Sequence, residues 1–199
     1  MKRIISTLSI VTIAFLSMSF INPVKESSYK VDVQKSNIAW NGKKVAGQHS
    51  GNIKLSGGTL NLNDGKLSNG SFSINMNSIT CTDLQGEWAD KLVGHLKADD
   101  FFGVEKFPTS SFVITKVSPA SAGTVNISGN LTIKGITKAI SFPASMSMSG
   151  NTLTASAKGV KVDRTKYDIR YGSKSFFDSI GDKAIDDEFT IDINLVASK

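Results

Sequence analysis

Apolar and polar residues alternate one for one through most of this chain, and that period of two commits it to sheet. The cleanest runs are 124–134, where Val125, Ile127, Leu131 and Ile133 alternate with Asn126, Ser128, Asn130 and Thr132, and 139–149, with Ile140, Phe142, Ala144, Met146 and Met148 on one side. In 67–79 Phe72, Ile74 and Met76 stand against Ser71, Ser73, Asn75 and Asn77; in 188–196 Phe189, Ile191, Ile193 and Leu195 stand against Thr190, Asp192 and Asn194. Shorter or glycine-broken runs cover 29–34, 38–43, 47–62, 110–117 and 152–163. The first two, separated by Lys35-Ser36-Asn37, read as an opening hairpin. Gly51, Gly57 and Gly58 inside a strand mark bends or bulges, and Asn63-Asp64-Gly65 is a tight turn because aspartate and glycine accept positive φ. Two-sided strands joined by turns, with no alternating helices, give an all-β antiparallel fold of eight to nine strands, closed as a barrel or stacked as a sandwich.

One stretch breaks the pattern. Leu84, Trp88, Leu92 and Leu96 recur at a four-residue step, which predicts a single amphipathic helix over 83–97 that buries its stripe against the sheet and caps it. Asp83 is the expected N-cap, and Lys106-Phe107-Pro108 forces extended backbone before the proline. The longest irregular connection, 163–187, carries Tyr167, Tyr171, Phe176 and Phe177 and reads as an ordered flap.

With 199 residues, 40% of them hydrophobic and 20% charged, the chain has the size and balance of one folded domain. Lys2 and Arg3 followed by the apolar run 4–20 read as a secretory leader over 1–22, cleaved, ahead of a folded domain at 28–199. The expected location is therefore periplasmic or secreted. Cys81, the single cysteine, permits no internal disulfide and reads as a small buried residue at a strand end. The formal net charge is +6, but the lysines are scattered in ones and twos, which argues against a nucleic-acid partner.

Catalytic signatures are missing. His49, His95 and Cys81 have no nucleophile motif around them, and neither H-E-x-x-H nor paired C-x-x-C occurs. His95 is expected to pack beneath the helix. Asp99-Asp100 and Asp186-Asp187-Glu188 are solvated turn carboxylates on this reading. A hydrolase would require His95 and an acidic residue to converge in a cleft. The residues point to a protein that is not an enzyme, with no cofactor and no metal.

Whether the interior is hollow depends on side-chain size. Ala155 and Ala157 facing Ala144 and Met146 leave volume unfilled, whereas Phe72, Phe112, Phe142 and Phe189 reaching across would fill it. Residues alone leave both open. Three segments then bear on the choice: HLKADDFFGVEKFPTSSF at 95–112, GNLTIKGITKAISFPA at 129–144 and VDRTKYDIRYGS at 162–173. Together they resemble the YceI-like family of bacterial periplasmic proteins, over roughly 29–197. That resemblance implies a lipocalin-like barrel holding a polyprenyl or similar amphipathic chain, and tips the balance toward a cavity. The expected lining comprises Phe72, Ile74, Met76, Phe112, Ile114, Phe142, Ala144, Met146, Ala155, Ala157, Phe189 and Ile191, with Trp88, Leu92 and Leu96 from the helix. Candidates for a polar head group are Arg164, Lys134, Lys138 and Arg170, with Arg164 preferred because guanidinium pairs well with phosphate. The expected partner is a long-chain isoprenoid or fatty amphipathic ligand, bound by a monomer or homodimer for transport, storage or protection. The alternative is a structural or interaction module with a filled core that displays its loops to a protein partner.

Overall fold

The computed structural model describes residues 25–121, 123–177 and 181–199. The proposed leader lies outside them. Nine strands follow in order: β1 (Glu26–Val31), β2 (Asn37–Lys44), β3 (Gly47–Asn63), β4 (Lys66–Cys81), β5 (Thr109–Ser121), β6 (Thr124–Ile133), β7 (Ile136–Ser149), β8 (Thr152–Asp163) and β9 (Glu188–Ser198). One helix, α1 (Gly86–Lys97), sits between β4 and β5, and a short 3-10 turn (Arg164–Tyr167) follows β8. All pairings are antiparallel. The ladder runs β3-β2-β9-β8-β7-β6-β5-β4 and closes through β3–β4, so eight strands form a barrel and β1 is the ninth.

β1 and β2 do not form the expected hairpin. β1 pairs with the far half of β3 (Glu26 opposite Asn63, Lys30 opposite Thr59), while β2 pairs with its near half (Ile38 opposite Ile53, Lys44 opposite Gly47). Both also pair with β9. They are two segments of one lane, running in the same direction. Asp32 makes the step: its Oδ1 accepts from the amides of Gln34 and Lys35, and its carbonyl accepts from Ser36 N, which offsets the chain without reversing it.

Turn chemistry behaves as the sequence predicts. Asp64 and Gly65 have φ of 50° and 75° between β3 and β4, and Lys134 and Gly135 have 50° and 74° between β6 and β7, the paired positive values of a two-residue hairpin. Irregular register between Leu55 and Gly57 puts a bulge at the glycine pair of β3.

The helix is shorter and looser than its stripe implied. It begins at Gly86; Gln85 holds the N-cap position without a side-chain bond, and Asp83 caps nothing. None of its residues is buried, and Trp88 is 71% exposed. A four-residue step drifts about 40° around a helix at each repeat, so Trp88, Leu92 and Leu96 spiral instead of sharing one face, and Leu84 precedes the helix. Only the C-terminal end, at Leu96, packs on the core. The exit loop then turns inward: Phe101 and Val104 are buried, with Phe102 N donating to Leu96 O at 3.1 Å and Val104 N to Lys97 O at 2.9 Å.

Strand direction places the α1 loop, the 163–187 flap and the β2–β3 and β6–β7 turns at one end of the barrel, and the β3–β4 and β7–β8 turns at the other.

Candidate ligand cavity

Inward residues of the barrel enclose about 150 Å³ of unfilled space. The aromatic rings do not cross it. Phe72 and Phe112 stack with centroids 6.4 Å apart, and Phe112 and Phe142 tilt together at 5.6 Å, so three rings run side by side along the wall. Two glycines make this possible. A Cβ on Gly58 would lie 2.8 Å from Phe72 Cδ1, and one on Gly129 would collide with the Phe112 ring. Each ring lies flat where its neighbour strand has no side chain, and the lumen stays open.

Most of the expected lining is brought together. Phe72, Ile74 and Met76 of β4, Phe112 and Ile114 of β5, Phe142 and Ala144 of β7, Ala155 and Ala157 of β8, and Phe189 and Ile191 of β9 all face the space. Met146 packs against the core without reaching it, and Trp88 and Leu92 contribute to neither this cavity nor its neighbour. Residues that the sequence reading passed over include Leu131 and Ile133 of β6, Ile193 and Leu195 of β9, and Phe102 from the helix exit. The first four follow from the alternation itself; Phe102 follows only from the inward turn of its loop.

The wall presents hydrocarbon. Ser110 is buried on it, but its hydroxyl is turned to Met76 Sδ at 3.0 Å. The inward residues Phe189, Ile191, Ile193 and Leu195 are half-buried, whereas Phe72, Ile74, Met76 and Phe112, which face the same space, are buried. An apolar void of about this size stays dry and takes up apolar guests.

A second chamber of about 100 Å³ lies under the helix and flap, walled by Trp40, Leu96, Phe101, Ile185 and the Arg164 side chain. Leu96, the one expected helix residue near the site, belongs here. Ile53, Met76, Phe102 and Phe189 border both chambers.

The barrel wall is incomplete beside the main chamber. β7 pairs with β8 only over Ser145–Ser149, although its ladder with β6 extends to Ile136. On the open stretch Ile140 and Phe142 are half-buried, and across it Gly159, at φ +61°, has no atom within 4 Å of its would-be Cβ. The 3-10 turn packs against β7.

The head-group candidates separate. Arg164 is 1% exposed and holds the flap from within: Nε donates to Asp186 O, Nη1 to Ile169 O and Tyr171 O at 2.9 and 2.8 Å, and Nη2 to Ile185 O at 3.1 Å. Burial lowers its pKa, opposed by the carboxylates of Asp187, Asp163 and Asp186. Its donors are spent on backbone carbonyls, so it is a structural clamp and not a rim cation. Lys134 Nζ reaches Asp99 O at 3.2 Å, and Arg170 Nε is paired with Asp168 at 2.7 Å while its guanidinium covers Phe176. Lys138 is exposed and directly opposite the lining residue Leu131, which puts it on the inward side of β7 beside the seam. Among the described residues it is the one candidate of the four with no ion pair or hydrogen bond of its side chain.

Two polar clusters lie away from the cavity walls. His95 stands edge-on to Tyr171 (4.3 Å) and Phe101 (5.8 Å), as expected of a packing residue, with Nε2 3.4 Å from Asp100. Neither His95 nor Asp100 lines either chamber. At the end of β4, Asp83 accepts from Ser50 N at 2.8 Å, pairs with His49 Nδ1 at 2.8 Å and accepts from Cys81 Sγ at 3.3 Å. Partial burial pushes its carboxyl up, but these three donors outweigh that and hold it at about 2. The carboxylate ties the start of β3 to the end of β4, where the sequence placed a helix cap. Cys81 is half-buried at its strand end.

Comparison with known proteins agrees with this architecture. The chain is 33% identical over 87 residues to a UPF0312 protein of Shewanella denitrificans, covering 44% of each, and 38% identical over 79 residues to a UPF0312 protein of Pseudomonas paraeruginosa, covering 40% of this chain and 38% of that one. These alignments span less than half the length of the relatives. Among solved structures it superposes on Burkholderia cenocepacia BcnA with TM-score 0.69 and 23% identity, over 84% of this chain and 99% of that one. A structure described as a polyisoprenoid binding domain from Saccharophagus degradans, implicated in plant cell wall breakdown, gives 0.61 and 13%, over 85% and 97%. Both likenesses establish the shared fold. The YceI-like domain profile matches residues 29–197, the whole of the barrel except the ends of its outer strands, and the chain belongs to the YceI-like family.

Proposed function

We propose that the protein is an exported, non-catalytic carrier that holds a polyprenyl or similar long-chain amphipathic lipid in its barrel. The observation that carries this reading is the open lumen and its hydrocarbon wall. An empty apolar space costs stability, and each methylene placed in it contributes roughly 0.8 kcal/mol, so a chain of a few isoprene units outweighs the cost of association without any hydrogen-bond code. The superposed Saccharophagus degradans domain, described as polyisoprenoid-binding, supports the same ligand class. A filled display module, the competing reading, has no use for such a lumen.

On this reading the chain enters between β7 and β8 and leaves its head near Lys138. The apolar run behind Lys2 and Arg3 directs the protein to the periplasm or outside. Organic extraction of protein purified from its native host, followed by mass spectrometry, tests the proposal. A stoichiometric lipid, and protection against thermal unfolding by added prenyl lipids, is the expected result; a clean extract with no protection overturns it.

A further inference from the structure

Four residues border both chambers, and two of them carry rings that meet edge to face: Phe102 and Phe189, with centroids 6.2 Å apart and planes at 87°. We propose, on the basis of the carrier reading above, that this pair is an internal door that sets the longest chain the barrel accepts, and that the second chamber receives the distal apolar end of a ligand longer than the main lumen.

Three features support this. The chamber behind the door suits hydrocarbon: Trp40, Ile79, Leu96, Phe101 and Ile185 wall it, and Arg164 has turned its N–H groups away to carbonyls and lies over the Phe101 ring at 5.7 Å. A charged head would find no free donor there; a terminal isoprene unit needs none. Joining about 100 Å³ to about 150 Å³ lengthens the available space by a large fraction. The door also has one fixed and one looser member. Phe189, the second residue of β9, is fixed by its ladder with β8, opposite Val162. Phe102 is half-buried on the loop between α1 and β5; its backbone is pinned by Leu96 O between the buried Phe101 and Val104, so the part left to swing is its ring, which meets Phe101 edge-on at 5.1 Å. Phe102 is the leaf and Phe189 the jamb.

The test uses the full chain as wild type, Phe102→Ala, Phe102→Leu and Phe102→Trp, with farnesol, geranylgeraniol and solanesol as probes competing for the site. Leucine keeps an apolar side chain at the position should alanine not fold. The expected result is that the alanine or leucine variant improves the affinity for solanesol relative to farnesol by about tenfold or more, while tryptophan lowers that ratio. Binding of all probes with an unchanged length ratio overturns the door and leaves the carrier standing. Failure of every probe to bind the wild type overturns the carrier, and the door with it.

Discussion

The Phe112 ring occupies the space that a side chain at Gly129 would need. The two residues are diagonal neighbours across the β5–β6 ladder, Phe112 opposite Leu131 and Gly129 opposite Ile114, and the missing Cβ allows the ring to lie beside Phe72 and Phe142. A methyl group at this position would meet both the ring and the backbone carbonyl of Val113, so β6 must shift against β5 and the ring must move as well. Gly129→Ala is therefore expected to destabilise the fold by about 1–3 kcal/mol, as overpacking does, and to weaken prenyl-lipid uptake by more than that loss of stability alone explains. Urea unfolding alongside lipid titration checks both.

Arg164 joins four carbonyls from two stretches of the flap, 169–171 and 185–186, to the end of β8. Lysine has the charge but lacks the planar fork, and leaves buried acceptors unpaired. Arg164→Lys should cost about 3 kcal/mol, with amide exchange rising first around 169–173 and 185–187. Stability within about 0.5 kcal/mol of wild type would show that the carbonyls find other donors.

Asp83 links acid sensitivity to one tie between strands. Its folded pKa is about 2 against an ordinary 3.8, so the stability it contributes is complete above about pH 4 and is lost as pH falls through 2. Asp83→Asn should lower stability at neutral pH by about 1 kcal/mol, allowing for solvent screening, and flatten the slope of stability against pH between 4 and 2. Asp163, also lowered despite burial through its bonds from Thr165, adds slope in the same sense and leaves a remainder in the variant. Acid titrations at fixed urea read the difference.

The Tyr167 hydroxyl is buried with no hydrogen-bond partner among the described residues, and burial, aided by Asp163, raises its pKa to about 12. Removing an unsatisfied buried group relieves its desolvation cost, so Tyr167→Phe should raise stability by about 1 kcal/mol. A loss of similar size would mean that an ordered water serves the hydroxyl.

Lys138 offers a check on the seam between β7 and β8. If the lipid head emerges there, Lys138→Glu should weaken farnesyl phosphate binding by about tenfold and leave farnesol nearly unchanged, with the difference shrinking at high salt. Equal effects on both probes would place the head elsewhere.

The alternation at Val125, Ile127, Leu131 and Ile133, and again at Phe189, Ile191, Ile193 and Leu195, made the strands and the inward face legible, because a period of two assigns each side chain to a side directly. Ring placement was not legible. Whether Phe112 crosses the lumen or lies on its wall depends on Gly129 standing beside it in the next strand, a register fact that no local window contains. The helix misled for a related reason: four-residue spacing looks like a face over one turn and becomes a spiral over three, so Trp88 faces water where Leu96 packs. Arg164 misled most, since the same fork that suits phosphate also suits a cluster of carbonyls, and only the fold of the flap decides between them. The step at Asp32, which turned an apparent hairpin into one divided lane, is a third case of tertiary pairing overriding a local signal.

Ring closure joins strands far apart in sequence: Ile38 of β2 lies against Ile193 of β9. During synthesis the wall therefore has to wait for β9, and until that strand arrives the nascent sheet exposes its oily side and two bare edges. Contacts of such large sequence separation also make folding slow. A chain caught before this closure is an open sheet with bare edges and is prone to aggregate.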